Sequence, residues 1–205
     1  NTTWKLGING INRDADFAVD AYMPNDRVKK FGIILQPWKQ DGEYVLICGQ
    51  HGHSEQWREM PDMDAYYRNT ITEIRKFTDK PIVVRSHPRY RESLHWACDM
   101  QWYTEQDVTW NIPKHVQQTY DSFDLEHMLK HTQFTVSHSS NAGITSVIHG
   151  VPAIVSEHSL AYDVGTSMGG WLSKPDRHNW LNRMTFTEWF ADEIHIQWSR
   201  LRGHL

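Results

Sequence analysis

The 205-residue chain can bury a full core and suits one large domain or one and a half small ones. Its 21 lysines and arginines stand against 25 acidic residues, so it lacks the overall basic field of a general nucleic-acid binder. No apolar run approaches the ~20 residues that cross a bilayer, no secretory leader pattern is visible, and Cys48 and Cys98 are too few for a disulfide framework or a thiolate zinc site; a cytoplasmic setting is expected.

Residues 1–40 carry Gly7, Gly10, Pro24, Gly32 and Pro37 among short apolar stretches such as Phe31–Leu35, which reads as an irregular extension with one or two strands. The chain opens on Asn1 rather than methionine, so a fragment lacking an N-terminal segment is one expectation. From residue 41 to 205 the pattern is that of one domain. Tyr44–Cys48 is a continuous apolar run bounded by Gly42 and Gly49, as expected of a strand buried on both faces. Met63, Tyr67, Thr70, Ile71, Ile74 and Phe77 then recur at helical spacing behind Asp62 or Asp64.

Pro81–Val84 is the next buried-strand run, and Val108–Trp110 reads as a short third. Asp121 is placed to cap a helix carrying Phe123, Leu125, Met128 and Leu129. Phe134–Val136 and Ala153–Val155 bracket a helical segment, and a closing helix is expected from about Thr187 to Leu201. Strands alternating with helices in this way predict an α/β fold with a doubly wound, mostly parallel sheet. Ligands in such sheets bind beyond the carboxyl ends of the strands, where three loops stand out: Gly49–His53, Arg85–Arg89 and Ser137–Gly143.

The chemistry of these loops suits an anion. Ser139, Ser140 and Asn141 are good N-cap residues, a helix start offers free N–H groups and partial positive charge, and Gly143 lets an anion approach the backbone. Arg85, His87 and Arg89 place two guanidinium forks and an imidazole just past a strand, with Pro88 fixing the direction of His87. A two-sided diphosphate clamp is the expectation; a solvated basic turn and an ordinary capped helix are the plain alternatives. Neither a G-x-x-x-x-G-K-S/T nor a G-x-G-x-x-G sequence occurs. His51, His53, His138, His149 and His158 show no H-E-x-x-H-like spacing, so no metal is expected. Trp4, Trp38, Trp57, Trp102 and Trp110 are core material or stacking surfaces for a sugar or base.

The segments VLICGQ (45–50), TITEIRKFTDKPIVVRSHPR (70–89), DSFDLEHML (121–129) and TVSHSSNAGITSVIHGVPAIV (135–155) together resemble the nucleotide-sugar-binding, Rossmann-like half of GT-B glycosyltransferases. The likeness is greatest to the capsule-polysaccharide and glycosyltransferase-like proteins of bacteria and phages. Pro24–Arg27, Gln36–Trp38, Glu188–Trp189 and Gln197–Trp198 extend it over most of the chain. The resemblance implies a nucleotide-sugar as substrate, no cofactor, and donor phosphates held near His87, Pro88, Ser139 and Ser140. Gly49, Gln50 and Thr145 fall at the donor ribose and base, with Thr145 where many such enzymes carry a ribose-binding glutamate. A general base, expected among Asp14, Asp16, Asp20 and His51, would activate an acceptor hydroxyl. A glycan precursor and a hydroxymethylated phage DNA base are both open as acceptor, and Arg13, Arg27, Lys29 and Lys30 could form the local basic surface that DNA needs. A catalytically silent donor-binding subunit, a homo-oligomer and a sugar-nucleotide 2-epimerase are the alternatives.

Overall fold

The computed structural model describes residues 3–20, 23–24, 26–89, 100–117, 123–170 and 172–205. Asp121, the expected helix cap, lies outside them, as does Cys98. Strand β1 (Thr3–Lys5) and helix α1 (Asp26–Phe31) open the chain. The α/β core follows: β2 (Tyr44–Cys48), α2 (Met63–Arg75), β3 (Ile82–Arg85), α3 (Met100–Glu105), β4 (Val108–Asn111), α4 (Leu125–Leu129), β5 (Thr132–Ser137), α5 (Asn141–Ile148) and β6 (Ala153–Val155). Helix α6 (His178–Met184), strand β7 (Glu188–Phe190) and helix α7 (Ile194–Arg202) close it.

The five core strands form one sheet in the order β4-β3-β2-β5-β6, every pair parallel. The chain starts at the centre, winds out through β3 and β4, then crosses back beside β2 to lay down β5 and β6. Its apolar runs explain the burial: β2 has neighbours on both edges and helices on both faces, so Val45, Leu46 and Ile47 are all inaccessible. One face packs Val45, Ile47, Ile82, Val84, Phe134, Val136 and Ile154 against Tyr67, Ile71 and Ile74 of α2 and Tyr103 of α3. The other packs Leu46 and Cys48 against Leu129 of α4 and Val151, with Leu125, Met128 and Ala142 alongside. The fold is thus α/β, doubly wound and Rossmann-like, and its switch point lies between β2 and β5.

Local signals set several boundaries. Asp62 caps α2 by accepting the Ala65 N–H at 2.9 Å, which selects it over Asp64 as the start signal. The helix ends at Arg75, and Phe77 is left half exposed on the turn beyond it rather than continuing the buried face. The expected closing helix is shorter than its periodicity implies. Glu188–Phe190 instead pairs antiparallel with β1, Trp4 opposite Trp189. The Glu193 carboxylate accepts the Phe190 N–H at 3.2 Å, turning the chain before α7 begins.

The first forty residues pack back onto the far end of the chain. Arg27, buried, donates to Glu193 at 3.0 Å and to the Glu188 carbonyl at 2.7 Å, and its guanidinium lies 3.9 Å from the centre of the Trp189 ring. Lys30 reaches the same carboxylate. Burial disfavours the charged Glu193 carboxylate, yet hydrogen bonds from Lys30 and Arg27 hold it below the usual carboxylate range. Arg13 pairs with Asp163. Three of the four cations that could form a local basic surface thus pair with carboxylates.

Candidate functional site

A cleft of about 400 Å³ opens where the switch point predicts it, beyond the carboxyl ends of β2 and β3 and beside the start of α5. Cys48, Gly49 and residues 85–89 line one side; Phe123, Leu125 and Glu126 from the start of α4, and Ser140, Asn141, Ala142 and Thr145 of α5, line the other. Of the expected phosphate, ribose and base residues, the fold brings Gly49, Arg85, His87, Arg89, Ser140, Asn141 and Thr145 to this one cavity.

Their roles differ from the sequence expectation. Arg85 is 4% exposed, and its guanidinium is already engaged by Asp124 at 2.7 Å, by the Asn111 side chain and by the Met128 sulfur at 3.2 Å. Burial raises the cost of ionising Asp124, but the Lys114 N–H and Arg85 outweigh it and hold that carboxyl below its ordinary value. Arg85 is thus a tie between the β3 end and the start of α4. The thiol of Cys48, buried beneath, is pushed up to about 12 by desolvation and is inert.

His87 keeps its expected orientation. Its Nδ1 accepts the Arg89 N–H at 3.2 Å, so the neutral ring carries its proton on Nε2 and acts there as a donor. The same geometry recurs at His51, whose Nδ1 accepts the His53 N–H at 3.2 Å. The two rings lie 5.4 Å apart. His51 itself does not line the cleft. The acidic candidates are not brought to the cleft either. Asp16 accepts the Ala18 N–H at 2.7 Å and pairs with His204 at 2.9 Å, which lower its pKa, while Asp14 and Asp20 sit exposed on the extension.

At α5 the cap is as the sequence implies: Ser140 Oγ accepts the Ala142 N–H at 3.2 Å. Ser139 faces Gln50 instead, whose Nε2 reaches it at 3.5 Å. Gly143 is buried against β6, where an added Cβ would stand 2.9 Å from Val155 Cγ1, so its lack of a side chain serves close helix–sheet packing. Gly49 is likewise steric: a Cβ there would meet the Tyr67 hydroxyl at 2.2 Å. Thr145 donates its hydroxyl to the Asn141 carbonyl at 3.1 Å, leaving only acceptor capacity toward the cleft.

Two residues join the site that sequence reasoning did not single out. Ser86 is 1% exposed, lines the cleft, and its hydroxyl has no hydrogen-bond partner among the described residues. Its place inside Arg-Ser-His-Pro-Arg was the available signal. Glu126 projects a carboxylate at the cleft edge, 3.6 Å from His149. Lys5 donates to Asn141 Oδ1 at 2.7 Å, reaching α5 from the opposite end of the chain. Gln50, buried, has an Oε1 without a partner among the described residues.

A second cavity of about 440 Å³ lies past β5 and β6, lined by Met60, Tyr66, His138, Glu157, His158 and Tyr162 among others. His138 there is held below its ordinary pKa by burial and by the His158 ring, 5.8 Å away. Among the described residues no group of three or more histidines, cysteines or carboxylates is placed to hold a metal. Four of the five candidate stacking tryptophans are packed inside: Trp57 is buried, Trp102 and Trp110 support the core, and Arg177 covers Trp38 at 3.9 Å. Trp4 is more than half exposed.

No family model and no curated protein matches the chain. Among solved structures it is similar to the beta Kdo 2,4 transferase of KpsC from Thermosulfurimonas dismutans, with a TM-score of 0.44 and 13% identity over 77% of this chain and 51% of that one. A Methanocaldococcus jannaschii UDP-GlcNAc 2-epimerase, in complex with UDP-GlcNAc and UDP, gives 0.40 and 13% over 82% and 42%. TarM gives 0.41 and 10% over 82% and 32%. The likeness is one of fold. The chain spans about half the length of the first and less of the other two. No helix among the described residues is long and apolar enough to cross a membrane.

Proposed function

We propose that this chain is the donor-binding half of a glycosyltransferase that uses a nucleotide-activated sugar. One observation carries the reading: a single cleft at the switch point joins the start of α5, capped by Ser140, to the imidazole of His87 and the unpartnered hydroxyl of Ser86. That is a hydrogen-bond-donating, electropositive wall suited to a phosphate. In the reaction the bond from the anomeric carbon to the phosphate oxygen breaks, and a bond to the acceptor oxygen forms. The acceptor proton passes to a base, and the helix N–H groups and His87 stabilise the departing nucleotide. Glu126 shares the cleft with Thr145 and is the carboxylate that accepts ribose hydroxyls there. The acceptor is a hydroxyl compound, and the pairing of Arg13, Arg27 and Lys30 favours a glycan over modified DNA.

A thermal-shift screen of the chain against nucleoside mono- and diphosphates and nucleotide sugars tests this. Ligand at 100 times its dissociation constant stabilises the fold by about 2.7 kcal/mol, an easily read shift. A shift that is lost in Ser140→Ala and His87→Ala supports the cleft; the absence of any shift overturns it. A silent donor-binding subunit is the second reading. It is favoured because Asp14, Asp16 and Asp20 stand away from the cleft and His51 does not line it. It predicts donor binding without turnover, and conversion of donor with no acceptor present would instead identify an epimerase.

A further inference from the structure

His138 takes no part in the phosphate cleft; it lines the second cavity, the space of about 440 Å³ past β5 and β6. The residue is only 8% exposed. Its ring contacts are aromatic: Trp57 at 5.5 Å, with the planes 88° apart, and His158 at 5.8 Å. Trp57 is itself fixed, since its Nε1–H donates to the Pro61 carbonyl at 3.0 Å and Tyr66 packs across it at 4.9 Å. The imidazole is therefore held in one direction. Among the described residues no hydrogen bond reaches either of its ring nitrogens, although a buried polar side chain ordinarily has a partner. Burial and His158 keep the ring neutral, so it offers one N–H donor and one lone pair.

The rest of the wall narrows the choice of ligand. Met60, Met168, Tyr66 and Tyr162 give it apolar surface, and Glu157 and Ser167 stand at its exposed rim. No lysine or arginine is among the described residues that line it, and a carboxylate at the mouth repels anions. This cavity does not repeat the phosphate chemistry of the cleft. The matching occupant is uncharged, lays C–H surface on thioethers and rings, and carries hydroxyls that both give and accept hydrogen bonds.

We propose that the second cavity binds an uncharged sugar ring and that His138 is the residue that hydrogen-bonds its hydroxyls. For the sugar's role as acceptor, the inference rests on the donor-binding reading above. The two sites share one loop, with His138 lining this cavity and Ser140 lining the cleft. An extended chain spans at most about 3.6 Å per residue, so the two Cα atoms lie within about 7 Å of each other. A sugar at His138 and a phosphate at Ser140 thus occupy neighbouring spaces at the start of α5.

Saturation-transfer NMR of the full chain with glucose, galactose and N-acetylglucosamine tests the proposal, with glucuronate as the charged control. At least one neutral sugar is expected to bind about tenfold more tightly than glucuronate. His138→Leu should weaken that binding by about tenfold or more, and His138→Gln, which keeps a donor and an acceptor, should retain part of it. The ring signals of His138, assigned by their loss in His138→Gln, shift with the neutral sugar and not with UDP. Saturating UDP leaves the sugar bound. Glucuronate binding as tightly as the neutral sugars overturns the uncharged ligand. Sugar binding that is unaltered in His138→Leu, or that UDP displaces, overturns the assignment to this cavity. If no neutral sugar binds while nucleotides still shift the melting temperature, this proposal falls and the donor reading stands. Sugar binding at His138 with no nucleotide bound keeps the site and overturns its role as acceptor. If His138→Leu fails to fold, Ser167→Trp, at the exposed rim, fills the cavity instead and should abolish binding.

Discussion

Arg85 and Lys5, at the ends of β3 and β1, are both paired with carboxylates, one tightly and one loosely. Arg85 sits at a strand end, where sequence reasoning expects a phosphate ligand, and there its Nη groups meet Asp124, Asn111 and Met128. Lys5 lies in a segment that reads as irregular, yet it donates to the Asn141 side chain at 2.7 Å and pairs more loosely with Glu188 at 3.9 Å. Position along the fold therefore does not assign a charge to ligand or scaffold; the count of partners does.

The contrast can be broken most sharply at Arg85. Arg85→Ala leaves the Asp124 carboxylate without its buried partner and is expected to lower unfolding free energy by about 3–5 kcal/mol in urea titration. A loss of nucleotide affinity at unchanged stability would instead return Arg85 to the ligand. Gly49→Ala tests the steric side of the same wall. It forces a methyl onto the Tyr67 hydroxyl and should destabilise by about 1–3 kcal/mol, read by the same titration. On the α5 side, Ser140→Ala removes the cap at about 1 kcal/mol, together with the weakened anion binding described above.

The smallest effect is in acid. Asp124 has a folded pKa held below its unfolded value, so its contribution is fully present above about pH 4 and is lost as pH falls through the folded pKa. Asp124→Asn is expected to flatten that part of the stability–pH curve. An unchanged slope would mean that the Arg85 pair does not titrate with unfolding.

Local pattern made the sheet legible. Tyr44–Cys48 and Ile82–Val84 are apolar because both faces of the sheet are covered, and that composition is visible without coordinates. Ser140 and Asp62 were equally readable, since a cap and the N–H it accepts are near neighbours. What escaped depends on distant partners. Arg85 and Asp124 are 39 residues apart, Lys5 and Asn141 are 136 apart, and β1 finds β7 across nearly the whole chain. Glu188–Phe190 carries a helix-compatible pattern, and only its pairing with Thr3–Lys5 and the cover of Arg27 turn it into a strand. The glycines' packing role was hidden for a related reason: freedom to approach an anion and freedom to approach a packed neighbour look identical in one dimension.

The pairing of the first strand with the last also sets an order of events during synthesis. All five parallel strands have left the ribosome by Val155, but Lys5 has no strand to lie against until Glu188–Phe190 emerges. A nascent chain can therefore assemble its sheet and hydrophobic faces well before the ammonium reaches α5. A chain that stalls before β7 therefore carries the complete parallel sheet with its first strand still unpaired.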